Sequence, residues 1–360
     1  MRLISIEYDN WGICRAIIEG DKGIEYCTNI DLEKDNEQAW CSCEANVFKQ
    51  QIPCKHINFL VNKLDRSKMV NKKDEMVRIP TGSKIVDDLL GGGVPFKLVT
   101  ALFGEPMTGK SWLCYQIGVN NIKLTGKETL LIDTEGITPV DLKSILGKLS
   151  KRFEISEKEL ESKFRMIKTY DDKQIQSIQK LMMMFGYLPK LELSEKGGGK
   201  YKVIFNHCEE TLTDKELKNI SLIIIDSLTK PVKDSVGSET SNLPARAQII
   251  ERLFGKLYQV AELYNIAVIV LHHASVNPMT VGYKDAGHAY GGNPIYYNSK
   301  YILQIHNGTK AEKEIKCAEN DNEEWKIEAR RIQLIRRPDE QSTGIKIPIR
   351  LQKDKGFVDF

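Results

Sequence analysis

Eight consecutive residues, Gly104-Glu105-Pro106-Met107-Thr108-Gly109-Lys110-Ser111, set the tightest limit on what this chain can fold into. They fit the spacing G-x-x-x-x-G-K-[ST], in which a glycine-rich loop turns its backbone N–H groups toward phosphate. Gly104 and Gly109 permit backbone conformations that a side chain would block. Lys110 would reach the β- and γ-phosphates, and the Ser111 hydroxyl would ligate Mg²⁺. The flanks suit that use. Leu98-Val99-Thr100-Ala101-Leu102-Phe103 reads as a buried strand, and Trp112, Leu113, Tyr115, Gln116 and Ile117 open a helical pattern. Strand, loop and helix N-terminus in that order make an anion site. The eight residues and Trp112 are therefore the candidate nucleotide-binding set, with ATP and Mg²⁺ as the expected cofactors.

A chain of 360 residues is long enough for two domains. Its net charge of +3 is close to neutral, so any nucleic-acid footprint must be local. The N-terminus lacks the apolar core of a signal peptide, and no apolar run approaches a membrane span. The eight cysteines do not read as a disulfide framework. Their clustering at Cys41, Cys43 and Cys54 points instead to metal in a reducing compartment, so a cytoplasmic protein is expected.

Residues 1–40 alternate apolar and polar side chains in short runs, with turns at Asp9-Asn10 and Gly20-Asp21, which predicts a small antiparallel sheet. Cys41-Ser42-Cys43, ten intervening residues (44–53) and Cys54-Lys55-His56 then precede an amphipathic helix bearing Ile57, Leu60, Val61 and Leu64. Three thiolates and one imidazole complete a tetrahedral set for structural Zn²⁺ and leave no position open for chemistry. Cys41, Cys43, Cys54 and His56 are the candidate ligands. The C-x-C…C-x-H pattern resembles the SWIM-type zinc module over residues 1–66, and that resemblance implies binding to nucleic acid or protein. Lys63, Arg66, Lys68, Lys72, Lys73 and Arg78 run on through a basic linker at 67–78, either a solvated tether or a patch that tracks phosphates.

From residue 79 onward a second resemblance builds. Thr81-Gly82-Ser83 and Asp88-Leu89-Leu90-Gly91-Gly92-Gly93-Val94 are similar to the lead-in of RecA/RadA-family recombinases. Thr129-Leu130-Leu131-Ile132-Asp133-Thr134-Glu135-Gly136 resembles the strand that presents the family's catalytic glutamate, which maps onto Glu135. A carboxylate at a strand's C-terminal end sits by the nucleotide crevice, where it can orient or deprotonate the attacking water. Ser221-Leu222-Ile223-Ile224-Ile225-Asp226 reads as a buried parallel strand ending in an acid, so Asp226 is expected to hold Mg²⁺ together with Ser111. The family's aromatic and arginine after the glycine are replaced here by Ile137-Thr138-Pro139-Val140-Asp141, so its usual arginine contact to the nucleotide has no match.

The resemblance also assigns residues for DNA. Lys230 and Lys233 stand where recombinases keep a first DNA-binding loop, and Arg246 opens a long core-packed helix, as a family arginine or an ordinary surface one. His273 fills the slot of a glutamine that senses γ-phosphate, as either a switch or a structural histidine. Tyr290, Gly291, Gly292, Tyr296 and Lys300 lie in or beside the matching second DNA loop. Tyrosine faces can take unstacked bases there and lysine can take phosphate, or the loop contacts protein. Arg336 and Arg337, between two final strands at 331–335 and 345–349, are placed to reach a neighbouring subunit's nucleotide or to form a basic turn. Residues 186–219 read as an insertion.

The expected fold is thus α/β: a RecA-like core with a mostly parallel central sheet over 79–360, preceded by a small ββα zinc module. The expected function is ATP-dependent binding of single-stranded DNA in recombination or repair, as an accessory to a RadA-type recombinase or another paralogue, alone or as a homo-oligomer. A KaiC-like signalling ATPase, in which nucleotide state gates a protein partner, is the alternative.

Overall fold

A computed structural model describes residues 1–8, 13–20, 24–31, 40–41, 55–56, 77–170, 175–193, 201–237, 239–275, 288–290, 293–308, 327–338, 340–341, 344–352 and 354–359. The chain forms two compact units, Met1–Glu75 and Met76–Phe360. Among the described residues no helix is long and apolar enough to cross a membrane.

The first unit is an antiparallel sheet in the order β1 (Arg2–Tyr8), β2 (Ile13–Glu19), β3 (Glu25–Asp31), β4 (Trp40–Cys41). The short β4 pairs Cys41 with Thr28 and so fixes one thiol on the sheet. Cys43, Cys54, the helix expected after His56 and most of the basic linker lie outside the described residues.

The second unit opens with a two-stranded ladder of β5 (Arg78–Ile79) and β6 (Val94–Pro95). The helix Lys84–Leu90 lies between them, N-capped by the Ser83 hydroxyl and ended by Gly91 at φ 73°. Its main sheet has a parallel half. This runs through β7 (Val99–Gly104), β8 (Glu128–Asp133), β9 (Phe164–Lys168), β12 (Ile220–Asp226), β13 (Ala267–Ser275) and β15 (Tyr301–Asn307). The spatial order is β15-β7-β13-β12-β8-β9. An antiparallel half continues from β15 through β16 (Ile327–Arg337) and β18 (Ile347–Gln352) to β19 (Gly356–Val358). Two short strands join at the margins, β14 (His288–Ala289) on β13 and β17 (Glu340–Gln341) on β16.

The apolar runs of the sequence become strands buried on both faces, as parallel strands covered by helices must be. In β12, Ile223 and Ile225 enter one core while Leu222 and Ile224 enter the other. One layer is capped by the helix Leu243–Tyr264, through Ile249, Ile250, Leu253, Phe254 and Leu257. The other is capped by the helices Lys110–Thr125 and Pro139–Phe153, through Leu113, Ile117, Leu142 and Leu149. Each such buried side chain contributes roughly 1.5–3 kcal/mol.

The insertion forms an antiparallel hairpin of β10 (Tyr187–Leu193) and β11 (Tyr201–His207), followed by a short helix, Asp214–Asn219. Val203 is buried, and Tyr187, Leu191, Tyr201 and Phe205 pack on the core, so the described strands are docked rather than a free flap. Gly197, Gly198 and Gly199 lie outside the described residues. A helix, Ser177–Met183, precedes the hairpin; of the two expected final strands the first runs longer, over 327–337, and the second is shifted to 347–352.

Candidate nucleotide site

Because β7, β13, β12 and β8 are parallel neighbours, their C-terminal ends share one edge of the sheet. In-register pairing sets His273 beside Gly104 and Asp226 beside Asp133. A crevice at such an edge is where open α/β sheets bind ligands.

The phosphate loop leaves β7 at Gly104 and enters its helix at Gly109, whose φ is 94°. A Cβ on Gly104 would lie 2.2 Å from the Ile305 carbonyl oxygen, and one on Gly109 would lie 2.8 Å from Leu351 Cδ2. Gly109→Ala is therefore expected to cost roughly 1–3 kcal/mol and to weaken nucleotide binding. Thermal melting checks this, and a wild-type midpoint would contradict it. Lys110 is 8% exposed, and its Nζ donates to the Gly104 and Glu105 carbonyls at 3.1 and 2.7 Å. Burial lowers its pKa, against the raising influence of Asp226 and Glu135, so all three groups sense one another. Met107, by contrast, is 91% exposed at the loop's tip, and Trp112 is half-buried on the first helical turn.

Asp226 ends β12 almost fully buried. Burial pushes its carboxyl up to about 6, opposed first by a hydrogen bond from Ser111. The Tyr115 hydroxyl lies 3.4 Å from its Oδ2. A hydroxyl and a carboxylate side by side are the hard oxygen donors that Mg²⁺ prefers, so Ser111 and Asp226 fit the ion.

Glu135 follows β8. Its Oε1 takes the His273 Nε2 at 2.7 Å and also accepts from the Ser227 hydroxyl. The His273 hydrogen bond is the main reason its carboxyl sits below the ordinary range, with burial opposing. Asp133, 2% exposed, holds the turn beneath. Its Oδ1 accepts the N–H groups of Glu135 and Gly136 at 3.0 Å each, and its Oδ2 accepts the Tyr170 hydroxyl at 2.9 Å. Sequence reasoning did not single out Asp133 or Tyr170. The only available signal was an acid two residues before Glu135.

His273 is therefore tied to the candidate base. Its neighbour His272 is a packing residue: burial pushes it down to about 3, and it stacks on Phe254 at 6.2 Å. The His273 carbonyl accepts the Tyr290 N–H at 2.8 Å, which carries the crevice into the segment expected to bind DNA.

The expected DNA residues divide. Lys230, Lys233 and Lys300 are exposed. Arg246, expected as a family arginine of the DNA-binding set or an ordinary surface residue, is 5% exposed; Nη1 donates to the Tyr290 hydroxyl at 2.9 Å and Nη2 to the Glu239 carbonyl. These two bonds hold the guanidinium inward. The Tyr296 hydroxyl accepts the Ala289 N–H at 3.2 Å, and its ring meets Phe103 edge-on. Gly291 and Gly292 lie outside the described residues. Arg336 donates to the Tyr296 carbonyl, and Arg337 Nη1 donates to the Asp88 and Leu89 carbonyls at 3.2 Å each, at the end of the Lys84–Leu90 helix. Both make these bonds within their own chain.

In the first unit, Cys41 and His56 are both buried, with Sγ and Nδ1 3.7 Å apart. Two ligands of one tetrahedral Zn²⁺ stand about 3.6 Å apart by the usual Zn–S and Zn–N lengths, so this pair fits zinc.

Phosphate loop, paired acids and doubly covered parallel sheet define the second unit as a P-loop domain of RecA architecture. Comparison with known proteins agrees. Residues 72–187 match the Rad51 family profile, and residues 26–65 match that of the SWIM zinc finger. DNA repair and recombination protein RadA of Ignicoccus hospitalis is 30% identical over 230 residues, 63% of this chain and 62% of that protein. RadA of Metallosphaera sedula is 29% identical over 236 residues, with 63% and 62% coverage. DNA repair protein RAD51 of Mycosarcoma maydis is 26% identical over 246 residues, with 66% and 62% coverage. The chain thus spans less than two thirds of the length of each of these relatives. The crystal structure of the RadB recombinase shares the fold, with a TM-score of 0.51 at 22% identity, covering 78% of this chain and 99% of that one. The chain carries a RecA/RadA-family domain together with a SWIM zinc finger.

Proposed function

We propose that this protein binds and hydrolyses ATP, and that nucleotide state controls its grip on single-stranded DNA in recombination or repair. The observation that carries the reading is the meeting of Lys110, the Ser111–Asp226 pair and the Glu135–His273 pair at one sheet edge. When bound, Mg²⁺ and ATP supply a bridging cation and a γ-phosphoryl group for transfer to water. The chain's own part is to cradle the phosphates with the 104–109 loop and Lys110, and to hold Mg²⁺ by Ser111 and Asp226. Both donors to Glu135 meet its Oε1, so Oε2 is the oxygen that orients a water and takes its proton. Exposed Lys230, Lys233 and Lys300 supply charge for a DNA backbone, and the His273–Tyr290 hydrogen bond links the site to the segment expected to bind DNA. Likeness to DNA repair and recombination protein RadA and DNA repair protein RAD51 supports the recombination or repair part of this reading. An accessory or mediator role, assembly with a recombinase or with further copies, and a cytoplasmic setting are part of the same proposal.

Hydrolysis and DNA binding measured with and without single-stranded DNA at moderate salt test this. Stimulation that Lys110→Ala removes is expected. Hydrolysis with neither stimulation nor DNA binding would remove the DNA reading and favour a signalling ATPase.

A further inference from the structure

The phosphate loop is gripped from outside by an arginine that no motif marks. Arg330 sits on β16 and is 4% exposed. Its Nε donates to the Thr108 carbonyl at 3.2 Å and its Nη2 to the Met107 carbonyl at 3.1 Å. Nη1 is taken by its neighbour's carbonyl, Ala329, at 3.0 Å, and the Glu328 carboxylate contacts Nη2. The cross-strand partner of Arg330 on β15 is Asn307, whose Nδ2 donates to Glu105 Oε2 at 2.7 Å. One rung of the antiparallel half thus touches the loop at Glu105, Met107 and Thr108.

The direction of these bonds is what matters. A trans peptide is planar, and its C=O and N–H point opposite ways. Drawing the Met107 and Thr108 carbonyls toward Arg330 therefore turns the N–H groups of Thr108 and Gly109 away from β16, as a phosphate cradle requires. Met107 makes the need clear. It has φ 63°, a left-handed conformation that non-glycine residues seldom adopt, and its 91% exposed side chain packs against little that could hold it there. The bond to its carbonyl is the restraint at hand.

We infer that Arg330, seconded by Asn307, is a positioning residue of the nucleotide site. It sets the orientation of the peptide units between 107 and 109, and so the affinity for polyphosphate, without touching the nucleotide. The inference rests on the reading of 104–111 as a nucleotide site.

Arg330→Lys separates orientation from charge, because lysine keeps the positive charge but lacks the planar fork that reaches two carbonyls at once. The full chain is titrated with a fluorescent ATP analogue and with ADP, and amide hydrogen exchange is followed over 105–112 at saturating nucleotide. The expected result is a loss of roughly tenfold or more in affinity for both nucleotides, with faster exchange in that segment. Wild-type affinity and exchange in folded Arg330→Lys would overturn the inference. Should that variant fail to fold, Asn307→Ala decides: a loss of roughly two- to fivefold supports the clamp, and wild-type affinity overturns it. A folded wild-type chain that binds neither nucleotide would instead defeat the reading of the loop itself.

Discussion

Replacing Glu135 with glutamine is expected to slow ATP hydrolysis by roughly 10² to 10⁴-fold while leaving nucleotide affinity nearly unchanged. Three acids gather at the sheet edge, but their surroundings give them different work. Asp133 is spent on the turn, accepting two backbone N–H groups and the Tyr170 hydroxyl. Asp226 is buried against Ser111, in the position of a cation ligand. Glu135 alone combines exposure with an oxygen outside its bonds to His273 and Ser227. Because its carboxyl is held below the ordinary range, it stays ionised, and competent as a base, into more acid solution than a free glutamate would. Glutamine preserves the shape and can still accept from Ser227, so the loss isolates proton transfer. Single-turnover hydrolysis and equilibrium binding, measured side by side, make the check. An unchanged single-turnover rate would mean that the water is activated elsewhere.

The second large effect belongs to the first unit. Stripping zinc with a chelator, or replacing Cys41 with serine, is expected to unfold residues 1–75 while the second unit keeps its own melting transition. A structural zinc site supplies on the order of 10 kcal/mol, and a sheet of four short strands buries too little surface to replace that. The 3.7 Å approach of Cys41 Sγ to His56 Nδ1 joins β4 to the residue from the expected C-x-H end of the site. Metal analysis with circular dichroism reads both halves of the prediction. A Cys41→Ser protein that keeps one equivalent of zinc and an unaltered melt would contradict it.

The central parallel strands were legible because each is a run of apolar residues bounded by a chemically marked end. Ile223-Ile224-Ile225-Asp226 and Leu130-Leu131-Ile132-Asp133 announce both the strand and the edge to which its last residue is delivered. Contacts between distant stretches were not legible. Nothing local in Glu328-Ala329-Arg330-Arg331 says which arginine is buried, since that depends on the register between β15 and β16. The same holds for Arg246. The start of a helix gives periodicity but not what lies over it, and here the Tyr290 ring and hydroxyl lie over the guanidinium. The resemblance singles out His273 as filling the slot of a γ-phosphate-sensing glutamine, yet its partner is visible only where β8 and β13 bring their ends to one edge. For Arg336 and Arg337 the sequence leaves open a reach to a neighbouring subunit's nucleotide or a basic turn; β16 runs through both, and they bond to Tyr296 and to the Lys84–Leu90 helix.

The antiparallel half of the sheet has a consequence for how the protein is made. The phosphate loop emerges from the ribosome near residue 110, but Arg330 and the side chains against Gly109, Leu351 and Phe357, follow more than two hundred residues later. A nascent chain therefore carries its signature motif long before the groups that shape it arrive. On the proposed reading of the loop, its affinity for nucleotide would develop only once β16 and β18 have been made, with β16 paired onto β15 and β18 onto β16.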